Sequence, residues 1–145
     1  MLHVTPSTRR SVPLAAAQVA PLTPAAYLRL RRAAAGLSVS DAARRIAPNN
    51  QADAARLIRQ LETDGTAARY VETIHGLRDA YPLDVDVYLQ LRDAPADARP
   101  RICVGCGCSH WDPCGLPDDA GSCAWTNETT CTRCSGEAFP ITVYQ

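Results

Sequence analysis

All seven cysteines of the 145-residue chain fall within Cys103 to Cys134. They read Cys103-Val-Gly-Cys106-Gly-Cys108-Ser-His110-Trp111-Asp-Pro-Cys114, then Cys123-Ala-Trp125, then Cys131-Thr-Arg-Cys134. A stretch this short, with so few large apolar residues, cannot bury enough surface to hold itself folded, so it needs a staple. Disulfides are the poorer staple, because seven is odd and would strand one thiol. A Cys-x-x-Cys turn sets two sulfurs on one side of a tight bend, and two facing turns form a tetrahedral thiolate cage suited to zinc. Cys103, Cys106, Cys131 and Cys134 are therefore expected to hold a first zinc ion. Cys108, Cys114 and Cys123, with His110 as fourth ligand, make a second candidate site; the alternative is a set of small buried thiols with His110 on the surface. An iron–sulfur cluster is the competing cofactor, since it too is held by thiolates. Trp111 and Trp125 flank the ligands and are expected to roof the site.

A four-sulfur site has no open position for water, whereas catalytic zinc keeps one. A water on Cys108, Cys114 and Cys123, with Asp112 as base, is the one catalytic arrangement available. No His-x-Glu element precedes a Pro-Cys-x-x-Cys, as a nucleobase deaminase would require. No enzymatic activity is expected.

Net charge is zero, but unevenly distributed. Residues 1–60 hold nine arginines against Asp41 and Asp53; residues 61–145 hold six arginines against thirteen acids, and there is no lysine. A basic first half suits a polyanion, and an acidic second half suits a protein partner. No apolar run is long enough to span a membrane. Thr8-Arg9-Arg10 before a short apolar stretch faintly resembles a twin-arginine export signal, but Pro13 and Gln18 interrupt it. Residues 1–23 read instead as a disordered leader, Pro-, Ser- and Ala-rich, and the chain as cytoplasmic.

Helical spacing begins at Pro24, which suits a first turn. Tyr27, Leu28 and Leu30 lie among Arg29, Arg31 and Arg32, and Gly36 stops the helix. Ser38, or Ser40, caps a second helix over about 39–46, with Ala42, Ala43 and Ile46 on one face. Pro48-Asn49-Asn50 marks a turn. A third helix runs from Gln51 or Ala52 to Glu62 on a wide apolar stripe of Ala54, Ala55, Leu57, Ile58 and Leu61. A fourth is expected over Ala67–Tyr81, closed by Pro82. Asp84 opens a short fifth helix or turn through Leu91.

Gly36-Leu37-Ser38 with Asp41-Ala42-Ala43, then Leu57-Ile58-Arg59-Gln60-Leu61-Glu62, Gly65, Thr73-Ile74-His75-Gly76-Leu77 and Tyr81-Pro82-Leu83-Asp84-Val85, resemble phage-repressor-like (Xre/Cro-like) helix-turn-helix domains over residues 24–92. The resemblance implies a mainly α fold of five helices and binding of double-stranded DNA, with the third helix entering the major groove by its N-terminal part. Asn50, Gln51 and Arg56 would then reach base edges. Arg29, Arg32, Arg44, Arg45 and Arg59 would contact phosphates. A homodimer would suit a two-fold operator.

Residues 93–101 read as a linker, short enough to let its two flanking parts pack together. Residues 102–145 resemble zinc-ribbon or treble-clef modules in their paired Cys-x-x-Cys turns. They also look like a cysteine-rich tail of bacterial and prophage proteins. Phe139–Tyr144 alternates weakly and is expected to add a last strand. The resulting expectation is a DNA-binding transcription regulator with a structural zinc module, of prophage type. A protein–protein adaptor and an iron–sulfur redox-sensing regulator are the alternatives.

Overall fold

The computed structural model describes residues 22–115 and 121–136. Residues 1–21 of the expected leader and the strand expected at Phe139–Tyr144 lie outside them. Five helices follow in the expected order: α1 (Pro24–Ala34), α2 (Val39–Ile46), α3 (Gln51–Leu61), α4 (Val71–Leu77) and α5 (Val85–Asp93). A single 3-10 turn at Ala96–Ala98 and a short α6 (Thr132–Ser135) complete the described helices. None is long and apolar enough to cross a membrane.

Local chemistry accounts for the helix boundaries. The Ala26 amide donates to Thr23 Oγ1 at 3.0 Å, capping α1 just before Pro24. Gly36, at φ 72°, ends that segment in the left-handed region, where a Cβ is disfavoured. α2 opens on a reciprocal cap: the Asp41 amide donates to Ser38 Oγ at 3.0 Å, and the Ser38 amide to Asp41 Oδ2 at 3.2 Å. These bonds from the Ser38 hydroxyl and amide hold the Asp41 carboxyl below its usual range. Asp84 Oδ1 accepts from the amides of Asp86 and Val87 to start α5.

The fourth helix is shorter than the expected Ala67–Tyr81. Tertiary bonds claim its would-be first turn: the Ala68 amide donates to Tyr88 Oη at 2.8 Å, and the Ala68 carbonyl accepts from Arg92 at 3.0 Å. At the other end, amides of Arg78, Asp79 and Ala80 bond to carbonyls three residues back, a tighter coil than α.

The core is built from the inner faces of these helices, with Tyr27, Leu28, Ile58, Ile74, Val87 and Leu91 almost wholly buried. α2 packs on α3 through small residues, with Ala42, Ala43, Ala54 and Ala55 all buried. α5 packs against both α1 and α4. The buried Tyr27 hydroxyl accepts from the Asp84 amide at 2.9 Å, tying α1 to the start of α5. Burial pushes its pKa up to about 12.

The cysteine segment packs directly on this core. Ile102 joins the helical hydrophobic cluster. Arg31, buried to 8% exposure, donates from Nε to the Pro82 carbonyl at 3.0 Å and from Nη2 to Asp112 at 2.8 Å. Gly107 makes that approach possible. Its φ is +76°, and a Cβ there would stand 2.8 Å from Arg31 Cδ and 3.2 Å from Leu30 Cβ. Gly107→Ala is accordingly expected to lower stability by about 2–3 kcal/mol, from left-handed strain plus displacement of a pinned arginine. Denaturant unfolding checks this; a loss below half a kcal/mol would mean that the segment does not need its seat on α1.

Candidate metal centre and helical face

The cysteine segment has little regular structure. Its described backbone is held by isolated antiparallel bridges, Ile102 with Ser109, Gly115 with Ser122 and Trp125 with Cys131, and not by the ladder of a ribbon. The first knuckle is closed by the Gly107 amide on the Cys103 carbonyl (2.8 Å) and the Cys103 amide on the Cys108 carbonyl (2.9 Å). The second is closed by the amides of Cys134 and Ser135 on the Cys131 carbonyl. The Val104 amide on the Thr129 carbonyl joins the two.

These turns gather the sulfurs. All seven cysteines are free thiols. The sulfurs of Cys103, Cys106, Cys108 and Cys131 lie within 4.8 Å of one another, as do those of Cys108, Cys114, Cys123 and Cys131. Cys103, Cys108 and Cys131 are fully buried. The Cys106–Cys131 and Cys108–Cys123 separations are 3.9 and 3.8 Å. A tetrahedron with zinc–sulfur bonds of about 2.3 Å has an edge of about 3.8 Å. The sulfurs present therefore fit a metal, and a cluster of cysteines able to hold one is a property of this fold. Amides are aimed at them as well: Gly105 and Cys131 donate to Cys103 Sγ at 3.4 Å, and Cys114 to Cys123 Sγ at 3.2 Å. Such donors favour the thiolate that a metal requires.

The electrostatics of the cluster point the same way. Burial opposes ionisation of Cys131, but the Cys134 amide and the thiols of Cys103, Cys134 and Cys108 outweigh it and bring Cys131 down to about 6. Burial, then the Cys106 thiol, pushes Cys114 up to about 12. The same two causes push Cys108 far up.

The grouping differs from the one read off the spacing. Cys134 is exposed at the rim and belongs to neither four-sulfur group, although its thiol interacts with those of Cys106, Cys103 and Cys131. His110 is outside both groups as well. Its ring is exposed and meets Trp111 edge-on, 5.2 Å between centroids. It sits in a tight bend closed by bonds between the amides and carbonyls of Ser109 and Asp112, and lines a shallow pocket with Cys123 without joining either sulfur group. Cys131 takes the place expected of His110 beside Cys108, Cys114 and Cys123. Trp125 packs on the thiol cluster under the Arg101 guanidinium, 4.3 Å above its ring. Trp111, at 69% exposure, does not roof the site. Asp112 is the ion partner of Arg31, 81 residues away in sequence.

The arginines expected on DNA divide into two sets. Arg32 makes a fork on Glu62, both contacts 2.7 Å, and donates to the Leu37 carbonyl. Arg29 donates to the Glu62 carbonyl and to Asp64. Arg45 donates to the Ala80 carbonyl at 2.9 Å. These three are structural clamps between elements, and a contact 30 or more residues away left no local signal. Arg31 is a fourth, and sequence reasoning assigned it no role. Arg44, Arg56 and Arg59 stay exposed, Arg44 and Arg56 beside Asp41 and Asp53 of their own helices. Asn50 and Gln51 are exposed at the start of α3, where Gln51 Nε2 donates to the Pro48 carbonyl at 3.0 Å. No protein-family model matches the chain, and neither a curated protein nor a solved structure matches it.

Proposed function

We propose that the chain is a transcription regulator that binds double-stranded DNA through α3, with a thiolate-held zinc module bracing the helices. One observation carries the reading. α2 and α3 are joined by a four-residue turn and packed through alanines, and α3 leaves Gln51, Arg56 and Arg59 exposed on its outer side, with Asn50 at its start. In this reading Asn50, Gln51 and Arg56 meet base edges, and Arg44 and Arg59 meet phosphates. Arg29, Arg32 and Arg45 drop out of the contact set, because each already has a partner inside the fold.

The experiment is a fluorescence-anisotropy titration of random-sequence duplex at several salt concentrations. Three phosphate contacts per chain, with Arg56 reaching one on non-cognate DNA, give a log–log slope of about −2.7, or a roughly 40-fold loss of affinity between 50 and 200 mM salt. The triple variant Arg44→Ala/Arg56→Ala/Arg59→Ala should flatten that slope towards zero with thermal stability unchanged. Absence of salt-dependent binding by the native chain would reject the proposal.

An adaptor that binds protein is the second reading. It is favoured by the exposed Trp111 on a cleft of about 620 Å³, shared with Val71, Leu89, Asp84, Asp86 and Asp112. It predicts no duplex binding and quenching of Trp111 fluorescence by a partner.

A further inference from the structure

We infer that the seven thiols form a single binuclear centre, in which two tetrahedral metal ions share the sulfur of Cys131. The inference deepens the metal-module part of the proposal above and is independent of DNA binding. It begins with a count. Two four-coordinate sites need eight ligand positions, and the segment offers seven cysteines. The residue that spacing nominated as the eighth ligand, His110, is exposed and turned onto Trp111. Seven thiolates fill eight positions if one of them bridges.

Geometry selects the bridge. Cys131 is fully buried and belongs to both four-sulfur groups. On one side it stands 3.9 Å from Cys106, with its amide on Cys103 Sγ. On the other it closes a set with Cys108, Cys114 and Cys123, of which Cys108 and Cys123 lie 3.8 Å apart. Both separations match the edge of a zinc–sulfur tetrahedron, about 3.8 Å. Cys108 is as buried and belongs to both groups too; Cys131 is assigned the bridge because its thiol also meets that of Cys134, the seventh sulfur. The Cys134 thiol interacts with those of Cys106, Cys103 and Cys131, and it lies over Gly105, where a Cβ would be 2.8 Å from Cys134 Sγ. The first metal then takes Cys103, Cys106, Cys134 and Cys131; the second takes Cys108, Cys114, Cys123 and Cys131.

On binding, each thiol passes its proton to solvent and its sulfur lone pair to a dication. Seven thiolates against two dications leave three negative charges. Two guanidiniums adjoin the segment and offset part of that charge, Arg101 over Trp125 and Arg133 donating to the Gly115 carbonyl, while Arg31 against Gly107 is already paired with Asp112. Zinc is the expected ion, since sulfur ligands in a tetrahedron suit it and it brings no redox chemistry of its own.

The test uses the full-length chain. Native mass spectrometry of the zinc-loaded protein should give two metals per chain. In the protein refolded with 113Cd2+, proton–cadmium correlation should give two cadmium resonances, with the β-protons of Cys131 correlating to both and those of the other six cysteines to one each. Cys134→Ser should weaken the first metal and leave the cadmium resonance of the second within its native envelope. One metal on four cysteines would leave a metal module standing and overturn the bridged pair. Two metals with Cys131 on only one, or with Cys108 on both, would overturn this ligand assignment. An iron–sulfur chromophore, or no bound metal, would overturn the zinc module as well.

Discussion

Replacing Cys131 by serine is expected to unfold residues 102–136 while leaving most of the helical signal in place. Cys131 is fully buried, contributes to both four-sulfur groups, and donates its amide to Cys103. The hydrophobic cluster around it consists of cysteines and Trp125, so nothing greasy replaces a lost ion. Structural zinc contributes on the order of 10–16 kcal/mol of apparent binding free energy at neutral pH, more than a whole small domain's net stability. A single sulfur-to-oxygen change at the shared ligand should therefore cost the segment its fold. The helices should feel the loss without melting. Ile102 would leave their core, worth about 1.5–3 kcal/mol, and Arg31 would lose Asp112. Limited proteolysis should shift to sites in 102–136, far-ultraviolet circular dichroism should keep its helical shape, and the thermal midpoint should fall by several degrees. Excess chelator on the native chain should reproduce all three effects. Unchanged protease resistance in a metal-depleted protein would contradict the stapling account.

The second large effect concerns Arg32, which the helix-turn-helix resemblance assigned to DNA. Its guanidinium grips both oxygens of Glu62, whose side chain is only 6% exposed, and the pair lies near the buried ring of Tyr81. Arg32→Ala would strand a buried carboxylate, so a loss of about 3–5 kcal/mol is expected. The double variant Arg32→Ala/Glu62→Leu should recover much of that loss, because the stranded charge goes with its partner. Arg32→Lys should recover less than a conservative change suggests, since an ammonium cannot make the fork. A denaturant-unfolding cycle over these variants measures the coupling. If instead Arg32→Ala lowered DNA affinity with stability unchanged, its fork on Glu62 would be incidental and the residue would belong back among the phosphate contacts.

Much of the helical part was legible before any coordinates. The boundaries of α1, α2, α3 and α5 follow from Pro24, Gly36, Ser38, the Pro48-Asn49-Asn50 turn and Asp84, all acting within one turn of the chain. Their core faces follow from a 3.6-residue apolar period. α4 escaped because its N-terminal flank at Ala68 is held by Tyr88 and Arg92, twenty or more residues away. The crowding of thiols was equally visible, since Cys-x-x-Cys is a local geometry.

What the amino-acid order determined by itself is therefore local: where most helices start and stop, which faces are apolar, and that the thiols crowd into one segment able to hold a metal. Only the tertiary structure decided which sulfurs share a neighbourhood, placing Cys131 in both groups and His110 in neither. It also decided which arginines clamp distant elements and which do not. Arg31 meets Asp112 across 81 residues, and Arg32 meets Glu62 across 30. Caps and periodicities are set by neighbours within about four residues, whereas the partner of a charge or a thiol is whatever packing brings beside it.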